Sequence, residues 1–391
     1  MASGRAKRQT GKTPVAALRK AAAPALSHAT TEIESLRHRI DDLDEQIVNL
    51  INERADHARK IGAIKLREGI KPYSPGREIQ VYKKVVARNK GPLPDPAFRA
   101  IYREIMSATI ALEHPTRVAH FGQPGTFTHL AALTKFGSSV EYIPTRDMRD
   151  VFLAVSRGRA DYGVVPIENS TEGGVNQSID MFAETRLKIA SEIFLPIHHH
   201  LLSRSPLKEI RVIYSHPQPF AQCRNWLMGN LGDVERREVA STALAAEMAS
   251  KNPRYAAIAG SLAAETYAVP IVAEHIEDSP DNITRFFVVA ERMADRTGKD
   301  KTSLLLSIKD EPGALLDART RLTEAGVACE LEARLVADES VASPWQDGLR
   351  QQVFLGDETF VERMLTLATP ATKRAREVPR AQRKVRATVA S

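Results

Sequence analysis

Asn282-Ile283-Thr284-Arg285-Phe286-Phe287-Val288-Val289-Ala290 sets a hydroxyl and a guanidinium side by side at the head of an unbroken apolar run. A short apolar run bounded by polar residues reads as a buried strand. Thr284 and Arg285 then stand at a strand edge as a proton donor next to a carboxylate holder. Toward the amino terminus, the runs Val118-Ala119-His120-Phe121, Tyr162-Gly163-Val164-Val165, Val212-Ile213-Tyr214 and Ala256-Ala257-Ile258 alternate with helical stretches such as Met148 to Arg157 and Ala243 to Ala249. Strand and helix in alternation predict an α/β fold with crossover units, whose ligands sit at strand ends and helix starts. Taken alone, Asn282-x-Thr284 also fits a glycosylation acceptor by chance.

A chain of 391 residues exceeds one ordinary core and predicts two to four domains, and its 43% hydrophobic and 26% charged residues are a globular composition. No stretch approaches the roughly 18 apolar residues of a membrane span, and the amino terminus lacks the apolar core of a secretory signal. Cys223 and Cys329 are the only cysteines. They offer neither a disulfide framework nor a cysteine zinc site and suit a reducing cytoplasm. The net charge of +7 lies in the ends: residues 1–31 hold six Lys/Arg and no acid, and residues 371–391 hold seven and one, leaving 32–370 at −5. A mildly acidic body with basic, Ala-rich ends argues for disordered tails and against a nucleic-acid partner.

From Thr31 to Leu66 the apolar residues Ile33, Leu36, Ile40, Leu43, Ile47 and Leu50 recur three or four apart, predicting one amphipathic helix that ends near Gly69. Thr31 with Glu34 forms a capping-box start. The same spacing fits a plain coiled coil. Arg37, Arg54 and Lys65 complicate that reading. Arg54 and Lys65 are three turns apart, ~16 Å, with room between their arms for a small dianion. Arg37 is roughly 25 Å from Arg54 along the helix and reaches the same ligand only from an antiparallel partner chain. Ser74-Pro75-Gly76-Arg77-Glu78 follows, then a helix from Pro96 to Glu113 on which Thr109 and Glu113 share a face.

This pattern resembles the all-helical chorismate mutases, in which a long-helix dimer lends one arginine to the neighbouring site. The resemblance implies Arg37, Arg54, Lys65, Ser74, Arg77, Glu78, Thr109 and Glu113 as substrate contacts, with Arg54, Lys65 and Glu113 catalytic. Ser74 stands where the family often has Asp. Glu113 stands where some members have Gln, and serves the substrate's ether oxygen only when protonated. The rearrangement needs no nucleophile, metal or cofactor; it needs a compact conformer and charge stabilisation at the breaking ether bond.

The next region carries Gly122-Gln123-Pro124-Gly125-Thr126-Phe127-Thr128-His129, Pro166-Ile167-Glu168-Asn169-Ser170, His216-Pro217-Gln218 with Gln222-Cys223, and Thr284-Arg285-Phe286, in that order. It resembles the prephenate dehydratases, which implies two lobes with a cleft between them. It also implies a catalytic threonine at Thr284, and Thr126, Asn169, Ser170, Gln218, Arg285 and Phe286 as substrate contacts. Ser241-Thr242 reads equally as a site element and as the N-cap of the helix from Ala243. His198-His199-His200 invites a metal reading, but adjacent residues in a strand point to alternate faces, and no metal is expected.

Thr302 to Ile308 and Glu311-Pro312-Gly313-Ala314-Leu315 resemble the opening of an ACT domain, an amino-acid-binding module. The resemblance implies Gly313, Ala314, Leu315, Glu332 and Arg334 as regulatory positions. Beyond Gly326 it decays: Glu332-Ala333-Arg334-Leu335 departs from the family pattern, and Pro344-Trp345 is not followed by the usual alternating strand. The expected layout is a basic tail (1–30), a helical mutase domain (31–114), an α/β two-lobed dehydratase domain (115–293), an α+β ACT-like domain (300–370) and a second tail (371–391). Chorismate and prephenate are the implied substrates, with phenylalanine a weak effector, no cofactor, no membrane, and a homodimer or larger assembly. The rival reading is a small-molecule sensor that binds aromatic precursors without turning them over.

Overall fold

The computed structural model describes residues 15–68, 75–113, 115–294, 302–309, 329–332, 348–355 and 386–387, with the helical positions 317, 320–321 and 324. Among these, no helix is long and apolar enough to cross a membrane. Three helices open the chain: α1 (Val15–Arg67), α2 (Pro75–Arg88) and α3 (Asp95–Glu113). α1 stops just before Gly69, as expected, but starts at Val15 and not at Thr31. The alanines at 16, 17, 21, 22, 23 and 25 account for this, since alanine is the strongest helix former, and they carry the helix through the capping-box position.

The chain divides into two compact units after Ile61. In the first, Ile33, Leu36, Ile40, Leu43, Ile47 and Leu50 are all exposed, so the apolar stripe of α1 is solvated in the single chain. The second holds two lobes. Lobe one comprises β1 (Arg117–Phe121), α4 (Phe127–Phe136), β2 (Glu141–Thr145), α5 (Met148–Ser156), β3 (Tyr162–Asn169), β4 (Gly173–Gly174), α6 (Asn176–Glu184) and β5 (Lys188–Pro196). Lobe two comprises β6 (His200–Ser203), β7 (Val212–Ser215), α7 (Pro217–Gln222), α8 (Arg224–Leu231), β8 (Glu235–Glu238), α9 (Thr242–Ser250), β9 (Tyr255–Ala259), α10 (Ser261–Tyr267) and β10 (Ile271–Ala273).

The strand β11 (Ile283–Ala290) then returns to lobe one. The first sheet runs β2-β1-β3-β11-β5 with β4 on β3; the second runs β10-β6-β9-β7-β8. The chain therefore crosses between lobes twice, through residues 197–199 and through residues 274–282. β11 lies between β3 and β5, antiparallel to both, and is buried on both faces as its unbroken apolar run requires. Phe287 and Val289 enter the core beneath α5 and α6, while Phe286 and Val288 enter the core beneath α4. A Cβ on Gly163 of β3 would lie 2.6 Å from Val151 and 2.9 Å from Val289, so only glycine lets α5 pack this close.

α2 and α3 dock on lobe one. Lys135 of α4 donates to Glu78 at 2.9 Å, Ser138 donates to Glu104 through its amide (2.9 Å) and hydroxyl (2.7 Å), and the Ser139 amide donates to the Ser107 hydroxyl at 3.1 Å.

A third, four-stranded sheet holds β12 (Thr302–Lys309), β13 (Cys329–Glu332), β14 (Gly348–Leu355) and β15 (Arg386–Ala387), in the order β13-β14-β12-β15. β14 supplies a strand after Pro344-Trp345, where the sequence lacks the usual alternation. It pairs with β12 over its full length, and its alternation is masked in the sequence by Gln351-Gln352 at its centre. β15 likewise lies within the stretch 371–391 expected to be a disordered tail. It pairs with Leu304 and Leu305 of β12.

Candidate active site

The N-terminal end of β11 delivers Thr284 to the junction of the two lobes. The Asn169 side-chain amide donates to the Thr284 hydroxyl oxygen at 2.8 Å and to the Asn282 side-chain oxygen at 2.7 Å. Asn169 is itself fixed, because its own oxygen accepts from the backbone amides of Thr171 (2.9 Å) and Glu172 (3.1 Å). Asn282 in turn donates to Gln222 at 3.3 Å, and the same Gln222 oxygen faces His199 Nε2 at 2.7 Å. Thr284 is 9% exposed. Since its oxygen accepts from Asn169, its own proton is directed elsewhere, and a hydroxyl that accepts a hydrogen bond is a better donor of its own.

Gln218 and Gln222, one helical turn apart on α7, both donate to the Glu172 carboxylate, Gln222 at 3.2 Å. This ties lobe two to the loop after β3. Burial pushes the Glu172 carboxyl upward, against the His216 charge and the Gln222 hydrogen bond. Thr126 caps α4: its hydroxyl donates to the Gln123 carbonyl at 3.0 Å and accepts from the His129 amide at 3.4 Å. The turn before it needs glycine at Gly122 (φ +85), where a Cβ would meet the Thr126 side chain at 3.0 Å.

Five further residues singled out from the sequence are placed as follows. Arg285 does not stand beside the Thr284 hydroxyl, because neighbours in a strand leave on opposite faces. Its guanidinium packs over the Phe194 and Phe287 rings, is held by Glu192, and lies 3.8 Å from Glu168. The Phe286 side chain is 1% exposed in the apolar core. The Ser170 hydroxyl accepts from the Ile283 amide at 2.9 Å and donates to the Asp281 carbonyl at 3.2 Å, stitching the start of β11 to the end of β3. Glu78 turns to Lys135 at the seam with α4. Ser241 is the N-cap of α9, accepting from the Leu244 amide at 3.0 Å.

The helical residues fall as follows. Arg37 and Arg54 lie on one continuous α1, 17 positions apart in the sequence, roughly 25 Å along the axis. Lys65 lies in the last turn of the same helix. Arg77 sits at the start of α2 with its guanidinium 3.3 Å from Gln80, and the buried Thr109 hydroxyl donates to the Ile105 carbonyl at 2.6 Å. Glu113 is the last residue of α3. The Glu113 side chain, Ser74, Gly313, Ala314, Leu315 and Arg334 lie outside the described residues, and Glu332 is placed by its backbone at the end of β13.

A model of the type II chorismate mutases matches residues 36–114, and one of the prephenate dehydratases matches residues 118–294. A bifunctional chorismate mutase/prephenate dehydratase of Aquifex aeolicus is 48% identical over 292 residues, covering 73% of this chain and 81% of that protein. The chain belongs to the bifunctional chorismate mutase/prephenate dehydratase family. Among solved structures, the prephenate dehydratase of Arthrobacter aurescens in complex with L-Phe is 30% identical with a TM-score of 0.56, covering 64% of this chain and 84% of that one. A protein described as a novel type of quorum quenching acylase is 29% identical with a TM-score of 0.52, covering 62% of this chain and 88% of that one.

Within this bifunctional mutase/dehydratase, three members of the hydrogen-bonded cluster were given no site role from the sequence: Asn282, Gln222 and Glu172. Two had a readable signal. Asn282 is two residues before Thr284 and so shares its strand face. Gln222 is four residues after Gln218 and shares its helix face. Glu172 had none, since its loop position follows from the turn at Asn169.

The dehydratase part also buries histidines in neutral form. His120 is inaccessible, stacks on His129 at 4.5 Å between ring centroids, and leaves its Nε2 without a hydrogen-bond partner. Burial, with the nearby His129 charge, lowers its pKa to about 4; burial lowers His129 and His199 as well. Below the ordinary value of about 6.5 the unfolded chain takes up protons that the folded His120 refuses. Stability is thus complete above that pH and falls toward pH 4. For His120 alone the loss between pH 7.5 and pH 5 is about 2 kcal/mol. His120→Phe should shallow the decline in urea midpoint over this range; an unchanged slope would acquit His120.

Proposed function

We infer that the chain catalyses two consecutive steps of phenylalanine biosynthesis: chorismate rearranges to prephenate, and prephenate loses carbon dioxide and water to give phenylpyruvate. The observation that carries this is the Thr284 hydroxyl, polarised by Asn169 at the lobe junction, in a chain 48% identical to a bifunctional enzyme. In the dehydratase step, the Thr284 proton goes to the ring hydroxyl, which departs as water when its C–O bond breaks, the electrons of the breaking carbon–carboxylate bond complete the aromatic ring as carbon dioxide leaves, and solvent returns a proton to the Thr284 oxygen. Asn169 holds the hydroxyl in place, and Asn282, itself held by Gln222, holds Asn169. The amino-terminal end of α4 behind Thr126 offers backbone N–H groups to a substrate carboxylate. Gln218 closes the cleft over it through Glu172. Arg285 is a positioning residue in this reading: clamped by Glu192, it fixes the register of β11 and hence Thr284.

In the mutase step, Arg54 and Lys65 hold the dicarboxylate in its compact conformer, with Arg77, Thr109 and Ser74 as polar contacts and a protonated Glu113 toward the ether oxygen. The set is completed by Arg37 of a second copy. The exposed stripe Ile33, Leu36, Ile40, Leu43, Ile47 and Leu50 supports this, because six large apolar residues at alternating spacings of three and four are a helix-pairing seam. We take the mutase domain as 31–114 and the dehydratase domain as 115–293. The third sheet we read as an ACT-like domain in which phenylalanine acts weakly, given the altered Glu332-Ala333-Arg334-Leu335 segment.

Chorismate supplied to the purified chain should yield phenylpyruvate, with prephenate as a transient. Accumulation of prephenate without phenylpyruvate, or recovery of unchanged chorismate, would overturn the two-step reading. Removing residues 301–391 should leave both conversions largely in place, since every catalytic candidate precedes that segment.

A further inference from the structure

The two segments that cross between the lobes meet side by side. The Ile197 amide donates to the Asn282 carbonyl at 2.8 Å, and the Ile276 amide donates to the His199 carbonyl at 2.9 Å. Where they meet, His198 of the first crossing and His275 of the second both direct Nδ1 at one carboxylate oxygen of Glu277, at 2.8 Å and 3.3 Å. Their rings stand edge to face with centroids 4.5 Å apart. The ligand atoms of the three residues all lie within 4.8 Å of one another. Neither the mutase chemistry nor the Thr284 cluster uses this group.

We propose that His198, His275 and Glu277 bind one divalent transition-metal ion, of the Zn2+ class, which clips the two lobe crossings together. Two imidazoles and a carboxylate are a donor set such ions favour. Bonds of about 2.0–2.2 Å set tetrahedral ligand atoms roughly 3.3–3.6 Å apart; the two histidine nitrogens lie 2.8 Å and 3.3 Å from the Glu277 oxygen, and rotation of the exposed rings would complete the set. The burial is graded in the way a site with an open position needs. The Glu277 side chain is 4% exposed, whereas those of His198 and His275 are 38% and 57% exposed, so water or a further ligand reaches the ion from outside.

The outer shell is also in place. The second Glu277 oxygen accepts from the His199 amide at 2.9 Å, which fixes the carboxylate as an outer-shell partner should. The His275 amide donates to His200 Nδ1 at 3.2 Å, and the His275 backbone is in the left-handed region (φ 51), a conformation uncommon outside glycine and tolerated best by Asn, Asp and His. The set draws one ligand from the His198-His199-His200 run and two from the other crossing; of the rest of the run, His199 turns to Gln222 and His200 backs His275. An ion here would brace His199, and through Gln222 and Asn282 the support of Thr284.

The test uses the untagged full-length chain, stripped of metal by chelator dialysis and titrated with Co2+ alone, read by the visible absorption of imidazole-bound cobalt. One equivalent should bind and be displaced by one equivalent of Zn2+. Binding should weaken at least about 100-fold in His198→Gln and in His275→Asn, more than loss of an outer-shell partner costs. Asn suits the left-handed backbone at 275, and far-UV circular dichroism with a cooperative thermal transition reports whether each variant is folded. Zn2+ should raise the melting temperature of the wild-type chain and not of the double variant. Absence of saturable one-equivalent binding by the folded wild-type chain, or undiminished binding by the folded double variant, would overturn the site.

Discussion

Thr284→Ala should lower kcat for prephenate about 10²–10⁴-fold, the range for loss of a positioned proton donor, while KM moves less than about threefold. The hydroxyl acts on the leaving group in the transition state only, so its removal spares ground-state binding. Thr284→Ser keeps the oxygen within reach of the Asn169 amide and should recover much of the rate, which a purely structural role for the methyl group would not allow. Asn169→Ala is the companion measurement. It keeps the donor but removes the 2.8 Å hydrogen bond that orients it, so it should fall between wild type and Thr284→Ala. A Thr284→Ala enzyme within about threefold of wild-type kcat would remove Thr284 from the chemistry, whatever happened at Asn169.

Where the sequence led and where it failed follow from how local each signal is. The alternation that predicted an α/β domain and the unbroken run Phe286 to Ala290 are short-range patterns, and both survive in the sheet. The placement of Thr284 was legible because a hydroxyl at a strand edge is visible in one dimension. Arg285 misled for the same reason: adjacency in sequence suggested a shared target, whereas a strand sends neighbours apart, and Glu192, 93 positions away, claims the guanidinium. The pairing of Glu78 was not legible, because Lys135 lies 57 positions on, across a docking seam that no periodicity announces. The ion-ligand cluster is the extreme case. Its members come from two crossings that only the return of β11 to the first sheet brings together.

Arg54→Ala should reduce mutase kcat/KM by at least about 10²–10³, the cost of removing one charge-stabilising donor from a site that works by electrostatics, while supplied prephenate is still consumed. The second half of the expectation rests on separation: Arg54 is on α1, and the Thr284 cluster is built from β3, α7 and β11. Arg37→Ala should be similarly impaired. Mixed in equal amounts with subunit exchange, the two inactive chains should regain about a quarter of wild-type mutase activity. Half the dimers are then mixed, and in a two-fold symmetric pair one of the two sites in each receives both arginines. The roughly 25 Å between Arg37 and Arg54 along one helix, together with the exposed apolar stripe on that helix, is the reason to expect complementation. Dehydratase activity stays constant across the series and serves as the internal measure of folded protein. Exchange demonstrated by mass-tagged subunits with no mutase activity regained would mean that both arginines act from one chain or that Arg37 lies outside the site. The stripe would then need another partner.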